Sequence, residues 1–137
     1  MMDLLRALYW VDEALQAGLR SRGWKNVSRS QSLILVNVAL GTQRASTLAS
    51  NHGVSRQAIS QMLADMQKAG LIEVGPDPAD GRAQLVTFSR SSSKLRDDAT
   101  RILQNIEREL TDRLGKRRMA GLREALGSEW GAAPDSI

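Results

Sequence analysis

Five polar side chains that suit contact with nucleic acid stand close together near the middle of this 137-residue chain. An arginine guanidinium fits the acceptor atoms of guanine, a glutamine carboxamide fits the edge of adenine, and a serine hydroxyl can donate to phosphate. Ile59, Leu63 and Met66 recur at helical spacing, which turns the polar residues to the outer face of a helix. Any solvated helix would also present a polar face, so this pattern alone is weak. The five residues are Ser55, Arg56, Gln57, Ser60 and Gln61.

A second pair of candidate residues, Asp80 and Arg82, lies at the end of a predicted hairpin. Leu71–Val74 alternates as a half-buried strand does, Gly75–Gly81 is a tip rich in turn residues, and Arg82–Phe88 returns as a second strand. An arginine at this position can enter a minor groove, and Asp80 could orient its guanidinium through a charge-assisted hydrogen bond. The alternative is an ordinary hairpin with an exposed ion pair of little energetic value.

The spacing of three small or apolar residues predicts the helix-turn-helix that must hold the polar face. Ala49 suits the point where two helices cross, Gly53 suits a turn with positive φ, and Ile59 anchors the second helix. Ser55 stands where its hydroxyl can cap that helix by accepting from a backbone N–H of the first turn. A helix-turn-helix followed by a hairpin is a winged helix.

Long amphipathic helices are predicted on both sides of this unit. Apolar residues recur every three or four positions from Leu4 to Leu19 and from Leu95 to Leu114. Shorter helices are predicted over Ser30–Leu40 and Lys116–Leu126. The apolar surface of these helices is larger than the winged helix between them can cover, which favours a symmetric homodimer. The alternative is a monomer in which the first and last helices pair with each other.

The predicted fold is mainly α with a small β-hairpin, a winged helix-turn-helix flanked by dimerisation helices. A chain of this length favours one domain over two. The predicted boundaries are an N-terminal dimerisation helix at 1–27, the winged helix-turn-helix at 28–89, C-terminal dimerisation helices at 90–127 and a flexible tail at 128–137.

The basic charge of the chain is concentrated outside the winged helix. The chain carries 19 lysines and arginines against 15 aspartates and glutamates, a net charge of +4. Residues 44–89 contain four of each sign and are neutral, so affinity for a polyanion must depend on a few placed cations. We expect the basic cluster Lys116–Arg118 to lie on a solvated surface far from DNA. The candidates for contact with the phosphate backbone are Arg29, Arg44, Ser46, Lys68, Arg90 and Lys94.

Several classes of site are missing from the sequence. The lack of cysteine excludes disulfides, thiolate metal sites and thiol-based redox switching. The single histidine, His52, is expected to be a turn residue, and Asp97 and Asp98 are expected to be solvated charges on a long helix. We therefore predict no metal, no cofactor and no catalytic residues, so the protein is not expected to be an enzyme. No signal-peptide or membrane-span pattern is found, and a soluble, cytoplasmic protein is expected.

The middle of the chain resembles the winged helix of the MarR family of bacterial transcriptional regulators. The family's acidic–any–arginine wing signature falls at Asp80-Gly81-Arg82. Two departures are visible. Arg44 stands where the family has Ser or Thr, so that either Ser46 caps a shorter helix or Arg44 meets phosphate, and the segment after the wing keeps a capping hydroxyl at Ser89 but lacks the family's glycine. The resemblance covers residues 28–89 and rests on Leu48-Ala49, Gly53-Val54-Ser55-Arg56-Gln57-Ala58-Ile59-Ser60, Gly70-Leu71-Ile72 and Asp77-Pro78-Ala79-Asp80-Gly81-Arg82.

The resemblance implies a homodimer that binds pseudo-palindromic duplex DNA, with the helix from Ser55 in the major groove and Arg82 in the minor groove. In many members a small aromatic or phenolic effector binds between the dimerisation helices and the winged helix. Tyr9, Trp10 and Trp24 are the candidates for lining such a pocket, although Trp10 and Trp24 could equally fill the dimer interface. The predicted function is a sequence-specific transcriptional regulator, a repressor released by its ligand. The alternative is a winged-helix protein-interaction module without specific DNA binding.

Overall fold

The computed structural model describes residues 1–132, and within them the chain folds into six α-helices and one two-stranded antiparallel hairpin. A short 3-10 turn over Arg90–Ser92 joins the hairpin to the fifth helix. The predicted fold, mainly helical with a small hairpin, is confirmed. The helices are α1 (Met2–Ser21), α2 (Arg29–Ala39), α3 (Ala45–His52), α4 (Arg56–Lys68), α5 (Ser93–Leu114) and α6 (Lys116–Gly127), and the strands are β1 (Ile72–Asp77) and β2 (Asp80–Phe88).

The helix-turn-helix is formed by α3 and α4, which pack together around buried apolar side chains. Ala49 of α3 and Ile59 of α4 are both buried, as their predicted roles require. The turn depends on Gly53, whose φ of 62° ends α3 in the left-handed conformation that glycine adopts without steric cost. One core joins these helices to α2, β2 and α5, and its most buried side chains include Ile34, Leu48, Ile59, Met66, Val86 and Leu95.

The hairpin is longer, and its tip is tighter, than the sequence predicts. We expected the tip to occupy Gly75–Gly81, but both strands extend into that segment and leave only residues 78 and 79 between them. Gly75 pairs with Leu85, and Pro76 pairs with Gln84. A proline fits here because each strand of a two-stranded ribbon has one side without a ladder partner, where a missing N–H costs nothing.

Strand β2 is also joined to the segment that precedes α3. The Val86 N–H donates to the carbonyl of Gln43 at 2.8 Å, and Arg44 forms an isolated antiparallel bridge with Leu85. The base of the hairpin is therefore attached directly to the start of the helix-turn-helix.

Serine hydroxyls tie the end of α4 to the start of α5. Ser91 Oγ donates to the carbonyl of Gly70 at 2.8 Å, and Ser89 Oγ donates to the same carbonyl. Ser89 Oγ also accepts from the N–H of Ser92 at 3.2 Å, which confirms its predicted capping role. Residues 89–92 thus contact both the end of α4 and the start of α5.

The two long helices α1 and α5 pack against each other within one chain. The contact uses the second half of α1, where Leu15 and Leu19 are buried, and the middle of α5, where Ile102 and Ile106 are buried. The partner of α1 is thus α5, and not the last helix as in the monomeric alternative. The first half of α1 and the outer side of α6 leave large apolar side chains exposed. These are Leu4, Leu5, Leu8, Tyr9, Leu122 and Leu126.

Gly18 lies where α1 approaches α5 closely. A Cβ added at Gly18 would stand 2.7 Å from Cγ2 of Ile102, a β-branched side chain with little freedom to move. We expect Gly18→Ala to lower the free energy of unfolding by about 1 kcal/mol, since overpacking costs about 1 to 3 kcal/mol and alanine's helix propensity returns about 1. Urea denaturation measures the change. Gly121→Ala is the control, because a Cβ there meets nothing within 4 Å, and equal gains at both sites would contradict the close packing.

The tail predicted over residues 128–137 begins against α6. The Ser128 hydroxyl donates to the carbonyl of Glu124 at 2.8 Å, and the Trp130 indole donates to that of Ala125 at 2.9 Å. Residues 133–137 lie outside the described residues.

The described helices and polar residues offer neither a membrane span nor a metal site. No helix within residues 1–132 is long and apolar enough to cross a bilayer. In the same part of the chain, no group of His, Asp and Glu side chains has an arrangement that could hold a metal ion. His52 occupies the last position of α3 beside the turn, and its Nε2 atom is buried without a hydrogen-bond partner among the described residues.

Candidate nucleic-acid interface

The outer face of α4 presents the polar side chains that the sequence predicts there, and all of them are exposed. Ile59, Leu63 and Met66 on the opposite face are buried. Ser55 Oγ accepts from the N–H of Ala58 at 3.1 Å, so the predicted N-cap is confirmed. The helix therefore starts at a fixed residue with its first turn open to solvent. We call this surface the reading face: Ser55, Arg56, Gln57, Ser60 and Gln61.

Two residues of the reading face already have partners within α4. Ser60 Oγ donates to the carbonyl of Arg56 at 2.8 Å, so its proton is used inside the helix and the expected donation to phosphate is not available in this conformation. Gln61 Nε2 donates to Oδ1 of Asp65 at 3.1 Å. Because a carboxylate only accepts, Asp65 draws the amide nitrogen of Gln61 toward itself and turns the amide oxygen away.

The wing, formed by β1 and β2, presents Arg82 to solvent. Arg82 is exposed and takes part in none of the ion pairs formed by the described residues. We expected Asp80 to orient the Arg82 guanidinium, but Asp80 Oδ1 accepts from the main-chain N–H of Arg82 at 3.2 Å. An aspartate in a turn reaches the backbone two residues ahead more easily than a side chain. Asp80 therefore shapes the turn, and the guanidinium remains available.

Arg44 binds the wing of its own chain. Its Nε and Nη2 atoms donate to Oδ2 of Asp77 at 3.0 and 2.6 Å. Asp77 is only 7% exposed, and its Oδ1 accepts from the N–H of Ala79 at 2.9 Å. The Ala79 N–H and the Arg44 guanidinium together hold the pKa of the Asp77 carboxyl below its ordinary value. The Arg44 guanidinium is thus already engaged within the chain, and its contact with phosphate stays a prediction.

The other alternative for this position was a shorter α3 capped by Ser46, and the structure does not have it. The helix begins at Ala45 with Arg44 at the N-cap position and no side-chain cap, so Ser46 lies inside the first turn and does not cap a shorter helix. Ser46 is exposed, and its contact with phosphate stays a prediction.

Among the candidates for contact with the phosphate backbone, Arg29 also forms ion pairs within the chain. It begins α2 and forms ion pairs with Asp12 and with Glu13, the latter at 2.9 Å, on the polar side of α1. Two carboxylates therefore share its charge in this conformation, and its contact with the DNA backbone stays a prediction. The remaining candidates, Lys68, Arg90 and Lys94, are exposed and stay predictions.

The aromatic residues proposed for an effector pocket do not come together. Tyr9 is 67% exposed, and Trp10 lies under the guanidinium of Arg113, 5.7 Å from the ring centre. The Trp24 indole donates to Oδ2 of Asp98 at 2.9 Å, and Arg22 donates to Oδ1 of the same carboxylate at 2.8 Å.

Asp98 is consequently not the solvated charge that helical periodicity predicts. Its side chain is 14% exposed because the segment after α1 lies over it. The Trp24 indole and then the Arg22 guanidinium lower the pKa of its carboxyl. The pair joins the α1–α2 connection to α5.

Because the pKa of Asp98 is lowered, this carboxyl should make the stability of the fold fall as the solution becomes acidic. A carboxyl whose folded-state pKa is depressed stabilises the fold above its unfolded-state value of about 3.9, and this gain is lost as pH falls through the folded-state value. We expect Asp98→Asn to be less stable than the parent at neutral pH and the two stabilities to converge in acid. Urea denaturation across a pH series measures this, with the exposed neighbour Asp97→Asn as the control. A constant difference at every pH would contradict the assignment.

A groove of about 520 Å³ lies elsewhere, between α1, α2 and the first half of α5. None of the three predicted aromatics lines it. Its wall is mostly apolar, and Arg96 lies at it with the guanidinium 4.9 Å from the ring centre of Phe88. Besides these two residues, the groove is lined by Leu19, Leu35, Val36, Leu95, Ala99 and Leu103.

Comparison with known proteins agrees with this geometry. Residues 25–83 match the model of the MarR family. The chain is similar to the apo form of wild-type MarR from E. coli, with 21% identity, a TM-score of 0.69 and 93% of each chain covered. It is also similar to AbsC, a MarR family transcriptional regulator from Streptomyces coelicolor, with 22% identity, a TM-score of 0.64 and coverage of 91% of this chain and 85% of that one. A third similar structure is a MarR family transcriptional regulator from Rhodococcus sp. RHA1, with 21% identity, a TM-score of 0.65 and coverage of 91% of this chain and 88% of that one.

No curated protein matches the chain. The family match covers α2, α3, α4, β1 and the start of β2, which is the part that carries the reading face and Arg82. The AbsC and Rhodococcus proteins are described as MarR family transcriptional regulators. Residues 25–83 match the model of the MarR family, and the chain as a whole has the fold of the MarR family structures to which it is similar.

Proposed function

We propose that the protein is a sequence-specific regulator that binds duplex DNA. The observation that carries the proposal is the reading face of α4, which starts at a capped terminus and stands exposed together with the wing arginine, Arg82. In a major groove, the side chains of Arg56, Gln57 and Gln61 can reach base edges, while Arg82 enters the adjacent minor groove. Such a regulator acts where the DNA lies, so a cytoplasmic location is part of the proposal.

Contacts to the phosphate backbone would come from residues around the reading face. Ser46, Lys68, Arg90 and Lys94 are exposed and can donate to phosphate oxygens. Each phosphate that a cation neutralises adds about 0.9 to the slope of log affinity against log salt. Because residues 44–89 are neutral overall, we expect a shallow salt dependence set by these few side chains.

An electrophoretic shift on the protein's own promoter region tests the proposal, with a scrambled duplex of equal length as the control. We expect tighter binding to the promoter duplex and affinity that falls as salt rises. Absence of salt-sensitive duplex binding would contradict it. That outcome would favour a winged-helix interaction module, which the neutrality of the motif makes the second candidate.

We also propose that two copies bind together. The support is the apolar surface left on α1 and α6, where Leu8 is 57% exposed and Leu126 is 49% exposed. A second copy would cover these side chains and would place two reading faces on the half-sites of a pseudo-palindromic operator.

We propose that a regulatory ligand binds in the groove between α1, α2 and α5. Its apolar wall suits the ring of a small aromatic or phenolic molecule, and the Arg96 guanidinium suits a polar or anionic group on it. We propose a repressor that such a ligand releases from DNA. Titration with a panel of aromatic acids and phenols, followed by tryptophan fluorescence and by the gel shift, tests this. Ala99→Phe should fill the groove and remove the response, whereas DNA affinity that no compound changes would count against the proposal.

A further inference from the structure

We propose that Arg44 is a positioning residue that holds the wing, through Asp77, in the orientation in which Arg82 meets DNA. This inference rests on the proposed function, because it gives Arg44 a role in presenting a DNA contact. It assigns no direct contact with phosphate to Arg44.

Hydrogen bonds lead from the start of α3 to Ala79 in the turn, and a further bond within the turn joins its next residue, Asp80, to the backbone of Arg82. Arg44 donates twice to Oδ2 of Asp77, and the other oxygen of Asp77 accepts from Ala79 in the turn. The next acidic residue, Asp80, accepts from the N–H of Arg82. Every link is a main-chain or charge-assisted bond, so the tip of the hairpin is fixed with respect to the helix-turn-helix.

The wing needs such an anchor because it is a sheet of only two strands. An isolated two-stranded hairpin is marginally stable in water. At its base the Val86 N–H binds the Gln43 carbonyl, and near its tip Arg44 binds Asp77. Asp77 is nearly buried, so loss of the guanidinium would leave a carboxylate with little water and no counter-ion, which is strongly unfavourable.

The alternative role for Arg44 is a direct phosphate contact. The two roles predict opposite changes in DNA affinity for Asp77→Asn. The Arg44 side chain is 48% exposed, so phosphate could reach it. If it served phosphate, Asp77→Asn would free the guanidinium and remove a negative charge near DNA, and affinity would rise. If Arg44 positions the wing, the same substitution loosens the wing and affinity falls.

The DNA test uses the full-length protein and its promoter duplex in fluorescence anisotropy. We expect Arg44→Ala and Asp77→Asn each to weaken binding about tenfold, the worth of one charged hydrogen bond, although one removes a positive and the other a negative charge. Asp77→Asn keeps an acceptor for the Ala79 N–H and so isolates the ionic contact. Glu73→Gln, on the exposed side of the same strand, is the matched control and should leave affinity unchanged or raise it. Affinity equal to or above that of the parent for Asp77→Asn would overturn the proposal.

Combination with Arg82→Ala separates positioning from general loss of stability. If Arg44 acts through the wing arginine, Arg44→Ala should cost little further affinity once Arg82 is gone. A full additional tenfold loss in the double variant would overturn the proposal, because it would mean that Arg44 contributes a contact of its own.

A readout without DNA keeps this inference separate from the proposed function. Amide hydrogen exchange at Ala79 and Arg82 should be faster in Arg44→Ala and in Asp77→Asn than in the parent, with exchange in α1 and α5 unchanged. Wing amides that exchange at the parental rate in both variants would overturn the proposal. Failure of the parent protein to bind its promoter, with faster exchange in the variants, would instead contradict the proposed function alone.

Discussion

Arg82→Ala is expected to remove most sequence-specific DNA binding and to leave the fold intact. The side chain is exposed and unpaired among the described residues, so its truncation leaves no buried partner unsatisfied. A specific arginine contact in a groove is worth about 1 to 3 kcal/mol, and two wings acting on one operator double that loss. Fluorescence anisotropy on the promoter duplex and on a scrambled duplex measures the change, and thermal unfolding monitors the fold.

The control for this prediction truncates an exposed arginine that lies outside the winged helix. Arg117 is exposed in the first turn of α6, within the basic cluster that we expect to lie far from DNA. Arg117→Ala should therefore bind the promoter as the parent does. Equal losses for the two variants would show that overall charge, and not the placement of Arg82, governs binding.

Leu8→Glu should convert a dimer into a monomer and so produce the second large effect. Leu8 is 57% exposed on the first half of α1 and is one of the large apolar side chains left uncovered there. A carboxylate there would have to be buried without a partner in the dimer, at a cost of several kcal/mol. Because linkage of two binding units raises affinity by about 10² to 10⁴, the monomer should bind a full operator correspondingly less well.

Sedimentation equilibrium gives the mass of each variant directly, and anisotropy gives its affinity. Leu40→Glu serves as the control, because Leu40 is 80% exposed at the end of α2 and lies outside the terminal helices. A parent protein that sediments as a monomer, or a Leu8→Glu variant that stays dimeric, would contradict the proposed interface.

Local rules accounted well for the parts of the site that depend on neighbours in sequence. Ser55 caps α4 and Gly53 turns with positive φ because both roles depend on one residue and the backbone next to it. The burial of Ile59 and Met66 likewise follows from helical period alone.

Pairings between distant residues could not be predicted in this way. Arg44 lies 33 positions before Asp77, and Trp24 lies 74 positions before Asp98. Periodicity correctly placed Asp98 on the polar side of a helix, but only the path of the chain after α1 covers it. The wing tip was misplaced for a related reason, because proline and glycine are turn residues by propensity yet fit an unpaired ribbon edge.

The one visible signal for the Arg44 pair was the departure from the family at that position. A serine or threonine there would cap α3 through its own hydroxyl, whereas an arginine cannot accept from a backbone N–H. The residue type thus indicated a different partner, and the structure identifies it as Asp77.

The two serine hydrogen bonds to the Gly70 carbonyl couple the orientation of α4 to that of α5. Ser89 and Ser91 lie at the C-terminal end of α4, whereas the opposite end carries Ser55 and the first side chains of the reading face. A helix of 13 residues is about 20 Å long. Rotation of α5 by about 5° at these hydrogen bonds therefore displaces the far end of α4 by about 1.7 Å, more than half the length of a hydrogen bond. In the proposed complex, alignment of α4 with a base edge would therefore depend on the angle of α5 to within a few degrees.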